Sequence, residues 1–381
     1  MKFYNANIFQ PEAGFKHGSF EVENGIFSKV EFGEKSSNSG IDLNGALVIP
    51  GLIDLHTHGN SNTDFSDGDK KGLEAIAKYL IHNGITSFLP TSVTLPYDSL
   101  SKAFISAHEF TLEEHPDCAN VIGIHMEGPY LSQKYKGAQN AEYLKLPDAN
   151  SFNKLQVECG NLIKIVDVAP ETKGAVEFIE EVSGKDDGPE KTLISLAHTD
   201  ADYEVALNAF DSGARHVTHL FNGMAPMHHR NSGVIGAASD RDDVTVELIC
   251  DGLHVHPSVV RMAFKIFSHR ICLISDSIRC CGMPEGEYEL GGQKVVLKSG
   301  EVRLADGTLA GSATNLFECM KKAISFGVPV TDAIAAATFT PAKCLHMENR
   351  IGVIKTGNDA DFIVCNDGFD ITNIYRKGSA L

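Results

Sequence analysis

Two histidines separated by one residue, His56 and His58, follow the mostly apolar run Val48–Leu55. Residues i and i+2 of a β-strand project from the same face, so both imidazoles point to one place if the run is a buried strand. Imidazoles paired in this way bind divalent metal ions. The pair alone could belong to a polar loop, but the apolar run before it and Gly59 after it favour a strand end. This interpretation requires further ligands at the ends of other strands.

Further candidate ligands stand where four later strand-like runs end. They are Glu127, His198, His219 and Asp276. With the first two histidines they give four imidazoles and two carboxylates, a set that suits zinc, iron or another borderline divalent ion. A single histidine at a strand end is more often a structural hydrogen-bonding residue. Six such side chains at the ends of five strands predict a shared metal centre.

The elements that must position these side chains alternate along the chain. Segments with helical spacing of apolar residues, such as Gly72–Asn83, Tyr203–Phe210 and Val259–Phe267, separate eight strand-like runs. The runs are Val48–Gly59, Thr86–Leu89, Val121–Glu127, Leu162–Ala169, Thr192–His198, His216–Leu220, Val244–Cys250 and Ile271–Asp276. This alternation predicts a (β/α)8 barrel, in which the chemistry lies at the C-terminal ends of the strands.

Both ends of the chain contain short strand-like runs that are too few to form a stable sheet by themselves. These runs are Lys2–Ile8, Ser19–Glu23, Ile26–Phe32 and Leu43–Val48, and then Ala360–Cys365 and Ile371–Arg376. We therefore expect one small β domain of residues 1–50 and 346–381, and a barrel domain of residues 51–345.

Two features follow the last barrel strand. The segment Glu285–Thr308 has three turn signals that contain glycine and predicts an inserted β-hairpin. Helices are predicted over Asn315–Ser325 and Thr331–Thr338, the second with Thr331 or Asp332 as its N-cap.

Composition excludes several classes of function. The 381 residues carry 33 basic and 50 acidic side chains, a formal net charge of −17, which repels nucleic acid and acidic membranes. No apolar run reaches the roughly 18 residues of a membrane helix, and the N-terminus lacks the pattern of a signal peptide. The nine cysteines include no Cys-x-x-Cys pair, and the adjacent Cys280 and Cys281 are read as small residues in a loop. We expect a cytoplasmic protein with reduced thiols.

Several longer strings, spread over essentially the whole chain, carry a family resemblance. They are Glu127-Gly-Pro-Tyr130, Gly137-Ala-Gln139, Ala197-His-Thr-Asp200, Thr218-His-Leu-Phe-Asn-Gly-Met224, His228-His-Arg230, Asp251-Gly-Leu-His254, Ser275-Asp-Ser277 and Leu309-Ala-Gly-Ser312. The set resembles the amidohydrolase superfamily, and within it the deacetylases of 6-phosphorylated N-acetyl amino sugars. The resemblance implies a TIM-like (β/α)8 barrel with a small β-sandwich domain formed by both chain ends.

The same resemblance implies roles for individual residues. Glu127, His198 and His219 match the ligands of the main metal, and His56 and His58 match a second metal site, with Glu127 between the two ions. Asp276 matches the catalytic aspartate. One or two divalent ions are implied, zinc or iron first and manganese or cobalt as alternatives. Residues that match substrate-contacting segments are Ala138, Gln139, Asn222, Gly223, Asp251, Gly252, Leu253, His254, Leu309, Ala310 and Gly311. Arg230, with His229, matches a phosphate contact donated by the neighbouring subunit of a homodimer.

Two departures from the pattern of the relatives bear on the substrate. Gln139 stands where many relatives have histidine, and Gly223 stands where alanine is frequent. The implied reaction is hydrolysis of the acetamide of N-acetyl-D-glucosamine 6-phosphate to D-glucosamine 6-phosphate and acetate, in the breakdown or recycling of amino sugars. The galactosamine epimer and other amides remain alternatives. A non-catalytic barrel that binds partners is a further alternative, which the retention of every candidate ligand and of Asp276 disfavours.

Overall fold

A closed barrel of eight parallel strands forms the centre of the computed structural model, which describes residues 1–33, 39–183 and 191–381. The barrel strands are Leu52–Thr57, Ile85–Ser92, Ile124–Tyr130, Ile163–Val168, Leu193–Leu196, His216–Val217, Thr245–Ile249 and Ile271–Ile274. Each strand pairs with the next one along the chain. The first and last strands meet where the Asp276 N–H donates to the His56 carbonyl at 2.9 Å. The predicted (β/α)8 class is confirmed.

Helices follow the strands on the outside of the barrel. Within the described ranges they are Lys70–His82, Tyr97–Thr111, Ala149–Glu158, Ala175–Ser183, Tyr203–Asp211, Gly233–Ser239, Pro257–Phe267, Leu316–Ser325, Val330–Ala337 and Phe339–Cys344. Short 3-10 helices cover Phe65–Asp67, Ala141–Tyr143 and Ser268–Arg270. None of the described helices is long and apolar enough to cross a lipid bilayer.

The first helix shows how the local sequence sets an element. The Asp69 carboxylate accepts from the N–H groups of Lys71 and Gly72, which caps the helix N-terminus. Its buried face carries the predicted apolar stripe. Gly84, just past the helix, has a φ of +79°, a left-handed conformation that favours glycine and ends the helix.

One predicted helix start is wrong. The helix Val330–Ala337 has Pro329 as its N-cap and no side-chain capping bond, so neither Thr331 nor Asp332 caps it. The fixed φ of proline allows the helix to begin one or two residues earlier than expected. Asp332 instead lies in the first turn, where its charge is favourable to the helix dipole.

Strands from both chain ends combine in one eight-stranded sheet. Its strands are Lys2–Gln10, Gly14–Glu23, Ile26–Phe32, Ile41–Asp42, Leu47–Pro50, Phe362–Cys365, Ile371–Arg376 and Ser379–Ala380. The strand Leu47–Pro50 joins the two ends, because it pairs with Lys2–Gln10 on one side and Phe362–Cys365 on the other. It begins later than predicted, since Asn44 and Gly45 have positive φ angles and form a turn.

The sheet curls over a core of its own. Phe20 and Phe362 lie on strands that are separated by two others in the sheet, yet their ring centroids are 5.0 Å apart. Phe3 contacts both rings. The layers of the predicted sandwich are therefore two parts of one continuous sheet, and the separate sheet domain from the chain ends is confirmed. We propose the domain limits 1–50 with 346–381, and 51–345, on this arrangement.

The insertion after the last barrel strand has three strands instead of the predicted two-stranded hairpin. Gly286–Leu290, Gln293–Lys298 and Glu301–Leu304 form an antiparallel meander. Both of its turns contain glycines with positive φ angles, so the chain reverses twice. The Gln293 side chain donates to the Ala138 carbonyl at 2.6 Å, which ties the meander to the barrel mouth.

Candidate active site

Six buried side chains at the C-terminal end of the barrel form two groups, each with its potential ligand atoms within 4.8 Å of one another. His56, His58 and Asp276 make one group, and Glu127, His198 and His219 make the other. The sequence predicted all six residues as ligands or as the catalytic acid, and the fold brings all six together. Nitrogen and oxygen donors in groups of three suit a divalent ion such as zinc.

Glu127 lies between the two groups. Its Oε1 atom is 2.9 Å from His219 Nε2 and 3.1 Å from His198 Nε2. Its Oε2 atom is 3.4 Å from His58 Nε2. One carboxylate that reaches both groups can bridge two ions, so this geometry supports a site for one or two metals.

Asp276 faces the same space from the end of the last strand. Its Oδ1 atom is 3.3 Å from His58 Nε2 and 3.6 Å from His56 Nε2. Burial raises the pKa of this carboxyl, but the surrounding imidazoles outweigh burial and lower it below the usual value. The group is therefore a carboxylate that can accept a proton.

Three of the six side chains leave the backbone at left-handed positions. The φ angles are +43° at His198, +28° at His219 and +47° at Asp276. A residue other than glycine in this region costs roughly 1 kcal/mol or more. Such sharp turns directly after short strands aim these side chains across the barrel mouth, and strain of this kind concentrates at functional sites.

The tautomers of three histidines are set by backbone carbonyls. The Nδ1 atom lies 3.0 Å from the Thr91 carbonyl in His58, 2.8 Å from the Tyr135 carbonyl in His198, and 3.1 Å from the Asn222 carbonyl in His219. Because a carbonyl only accepts, each Nδ1 carries the proton. Each Nε2 can then offer its lone pair to a metal ion.

His56 is held instead by a carboxylate that sequence reasoning missed. Glu247, fully buried on the seventh barrel strand, places its Oε2 atom 3.0 Å from His56 Nδ1. It also accepts from the His219 N–H at 3.1 Å. A glutamate inside the apolar run Val244–Cys250 was the available signal, because an unpaired carboxylate is rarely buried.

We expect the substitution Glu247→Gln to weaken metal binding about 10- to 100-fold, because the neutral amide no longer orients His56 or raises its basicity. Metal affinity is measured by competition with a chromogenic chelator. Asp167→Asn is the matched control, since Asp167 is equally buried but bonds His125, which lies outside both ligand groups. Equal losses in both variants would show a general effect of buried charge instead.

Proton affinities also point to a cation site. Burial lowers the pKa of His58, but Asp276 and Glu127 raise it to about 9. Burial lowers the pKa of His219 as well, and Glu127 raises it to about 10. The two carboxylates thus attract positive charge to the imidazoles, and a divalent ion would displace these protons.

A cavity of about 300 Å³ is lined by five of the six side chains, all except His56. Most of the predicted substrate-contacting residues line it. These are Ala138, Gln139, Asn222, Gly223, His254, Leu309, Ala310 and Gly311. The volume is at the lower end of the range for small-molecule sites, so it fits one compact polar ligand.

The remaining predicted residues lie outside that lining. Asp251 is buried behind His254, whose Nδ1 is 2.7 Å from the carboxylate. Gly252 and Leu253 complete the turn between them, in which the Asp251 carboxylate also accepts from the Leu253 N–H at 2.8 Å. Asp251 therefore positions His254 in this structure.

Gln139 is engaged at both ends of its amide. Its Oε1 atom accepts from the Thr94 N–H at 2.7 Å, and its Nε2 atom donates to Glu127. His254 Nε2 lies 2.9 Å from the Ala310 carbonyl, at the cavity wall. Although burial lowers it, Asp251 raises the pKa of His254. His254 is therefore a protonated donor at the cavity wall, and a substrate oxygen could replace the Ala310 carbonyl as the acceptor of its Nε2–H, while Gln139 supports Glu127.

His229 and Arg230 lie on an exposed loop and do not line the cavity of their own chain. The Arg230 guanidinium is 2.7 Å from His229 Nε2. The loop is closed by hydrogen bonds between the backbones of His228 and Asn231.

The barrel with two groups of histidine and carboxylate ligands at its C-terminal mouth defines a class of metal-dependent hydrolases. Residues 47–381 match the model of the Amidohydrolase family, and the chain belongs to this family. Members act with a divalent metal ion, which the six rim side chains could hold.

Individual proteins within and beyond this match are also similar to the chain. The N-acetylglucosamine-6-phosphate deacetylase of Bacillus subtilis is 38% identical over 88% of this chain and 84% of its own length. The N-acetylgalactosamine-6-phosphate deacetylase of Escherichia coli O157:H7 is 31% identical, with 87% of each chain covered. A mutant N-acetyl-D-glucosamine-6-phosphate deacetylase of Mycobacterium smegmatis, solved with N-acetyl-D-glucosamine-6-phosphate, superposes with a TM-score of 0.91 at 27% identity over 100% of this chain and 98% of its own.

Proposed function

We propose that this protein hydrolyses the acetamide of N-acetyl-D-glucosamine 6-phosphate to D-glucosamine 6-phosphate and acetate. The observation that carries the proposal is the position of the Asp276 carboxylate, next to His56 and His58 and in the wall of the cavity. The resemblance to deacetylases of phosphorylated N-acetyl amino sugars over 84–88% of both chains supports the choice of substrate.

Glu127, His198 and His219 are the proposed ligands of the main metal ion, and His56 and His58 those of a second. Zinc or iron suits this mixture of nitrogen and oxygen donors best. A bound ion polarises the amide carbonyl and lowers the pKa of water to about 7, which supplies a nucleophile at neutral pH.

The side chains of the site have separate roles in the remaining steps of the reaction. Asp276 accepts a proton from the attacking water and later delivers it to the departing nitrogen, as a general base and then a general acid. His254, held by Asp251, donates from Nε2 to the carbonyl oxygen as negative charge develops there. Gln139 and Glu127 remain fixed to each other throughout.

Arg230 is the proposed ligand of the 6-phosphate, and it would reach the active site of a second copy in a homodimer. Its exposed position outside the cavity of its own chain supports action in trans. Guanidinium binds phosphate through paired hydrogen bonds. His229 accepts from Arg230 through Nε2, which leaves its Nδ1–H as a further donor. In a chain of net charge −17, the phosphate needs such a local cation.

We expect Arg230→Ala to raise KM for the phosphorylated substrate about 10-fold or more, because one charge-assisted contact is lost, with little change for unphosphorylated N-acetylglucosamine. Arg350→Ala is the control, an exposed arginine that pairs with Asp359 on the sheet domain. Co-expression of Arg230→Ala and Asp276→Asn subunits tests whether Arg230 acts in the active site of the neighbouring subunit. Action in trans restores one complete site in each mixed dimer, whereas action in cis restores none.

The test of the function is acetate release by the metal-loaded protein from N-acetylglucosamine 6-phosphate, N-acetylgalactosamine 6-phosphate and unphosphorylated N-acetylglucosamine. We expect the first to turn over fastest. A preference for the galactosamine epimer would keep the mechanism and replace the named substrate. If none of the three releases acetate, the function is another amide hydrolysis.

A further inference from the structure

A second cavity, of about 370 Å³, lies at the opposite end of the barrel from the metal ligands. Its wall includes the first residues of several barrel strands, such as Leu193 and Thr245, together with Cys344 at the end of the helix Phe339–Cys344. Within the described part of the chain, Cys344 is the one cysteine that is partly exposed, and the other eight are buried.

Cys344 has three polar neighbours at the floor of this cavity. Its Sγ atom is 3.7 Å from His216 Nδ1 and 3.4 Å from Thr245 Oγ1. Cys272, on the last barrel strand, belongs to the buried cluster against which Cys344 packs, and its thiol lowers the pKa of Cys344. An imidazole, a hydroxyl and a second thiol directed at one sulfur stabilise a thiolate.

The other side of His216 is bound to a carboxylate. His216 Nε2 is 3.3 Å from Glu247 Oε1, and the imidazole is fully buried. Burial lowers the pKa of His216, but Cys344 and Glu247 raise it to about 10. His216 Nδ1 also lies 2.6 Å from Thr245 Oγ1, so the imidazole acts on the thiol both directly and through the hydroxyl that it polarises. A cationic imidazole beside a thiol is the arrangement that activates nucleophilic cysteines.

Three of the other cysteines lie in environments that favour the neutral thiol over the thiolate. Burial raises the pKa of Cys118 to about 11, that of Cys280 to about 11 and that of Cys365 to about 12. The hydrogen bond from Cys272, together with His216, holds the pKa of Cys344 well below its usual value.

We propose that Cys344 is a modification site, a thiolate stabilised by its polar neighbours that reacts with small electrophiles and peroxides entering this second cavity, with Cys272 as its resolving thiol. With a haloacetamide, the Cys344 sulfur forms a bond to carbon and the halide leaves. With hydrogen peroxide, the sulfur takes one oxygen, the O–O bond breaks, and the hydroxide that leaves takes a proton from His216 to form water. The Cys272 thiol then attacks the sulfenic acid, which forms a disulfide and releases a second water.

Peptide-level mass spectrometry of the intact, metal-loaded protein tests the first step. At pH 7 we expect iodoacetamide to label Cys344 about tenfold or more faster than Cys118, because the thiolate fraction is larger. His216→Asn should slow the labelling of Cys344 about tenfold if the protein keeps its melting temperature. Cys272→Ala, which leaves His216 in place, should slow it less. Equal rates for Cys344 and Cys118, or a rate unchanged in both variants, would overturn the proposal.

Hydrogen peroxide tests the second step. We expect the wild-type protein to lose two hydrogens and yield a peptide in which Cys272 and Cys344 are joined. Cys272→Ala should instead keep one added oxygen on Cys344, which dimedone traps. If the sulfenic acid persists in the wild-type protein, Cys272 is not the resolving thiol. If the protein consumes peroxide without any change at Cys344, Cys344 is not the reactive site.

Discussion

Asp276→Asn is expected to lower kcat about 10³-fold while the protein still binds its main metal ion at Glu127, His198 and His219. General acid–base catalysis contributes roughly 10²–10⁴-fold, and asparagine removes both the proton acceptor and the later donor. The amide keeps the shape of the carboxylate, and the Glu127, His198 and His219 group does not include this residue. The measurements are steady-state acetate release and metal content by mass spectrometry.

Two further variants make this experiment decisive. Asp276→Glu keeps a carboxylate but displaces it, so its activity should fall between those of the wild type and Asp276→Asn. Asp200→Asn alters an exposed carboxylate at a neighbouring strand end that pairs with Lys134, and its activity should be normal. Activity of Asp276→Asn within a few-fold of the wild type would exclude Asp276 as the proton carrier.

Glu127→Gln is expected to lose bound metal on dialysis, and with it at least about 10³-fold in kcat/KM. Its carboxylate is the anion that lies within 3.1 Å of both His198 Nε2 and His219 Nε2. Burial raises the pKa of Glu127, but the hydrogen bonds of His198 and His219 lower it well below the usual value. A neutral amide removes this charge from a buried site, and metal binding there loses its main electrostatic contribution.

Glu171→Gln is the matched control for that loss. Glu171 also accepts hydrogen bonds at the end of the fifth barrel strand, from Thr199 Oγ1 at 2.5 Å and from the Asp200 N–H at 2.7 Å, but it belongs to neither ligand group. This variant should retain its metal. If added metal restores Glu127→Gln to wild-type kcat, Glu127 affects only the affinity for metal and has no part in the chemical step.

Local patterns were enough to predict much of this fold. The helix that begins at Lys70 has a side-chain cap, an apolar stripe and a glycine stop, all visible in the sequence, and it was predicted to within two residues. The starts of short elements were harder to predict. The strand Leu47–Pro50 and the helix Val330–Ala337 begin where the geometry of turns and proline allows, and hydrophobic periodicity carries little information about such starts.

The candidate ligands were predictable because each one follows a strand, and the strands of a barrel all end at the same rim. Whatever follows the C-terminal end of a parallel strand meets the other strand ends at one rim. His56, His198 and Asp276 could thus be grouped from separate parts of the sequence. The roles of the supporting residues could not be predicted in the same way. Glu247 acquires its role from a contact with His56 on another strand, and Asp251, expected to contact the substrate, instead holds His254 through the geometry of their turn.

The sequence by itself determined the barrel class, the pairing of both chain ends, and the set of nitrogen and oxygen donors, since these depend on residue type and on periodicity along the chain. Tertiary structure alone decided that the Glu247 carboxylate orients His56. It also brought Cys344, Cys272 and His216 together at the opposite end. Contacts between distant segments depend on strand register and side-chain packing across the closed barrel, and no local pattern encodes them.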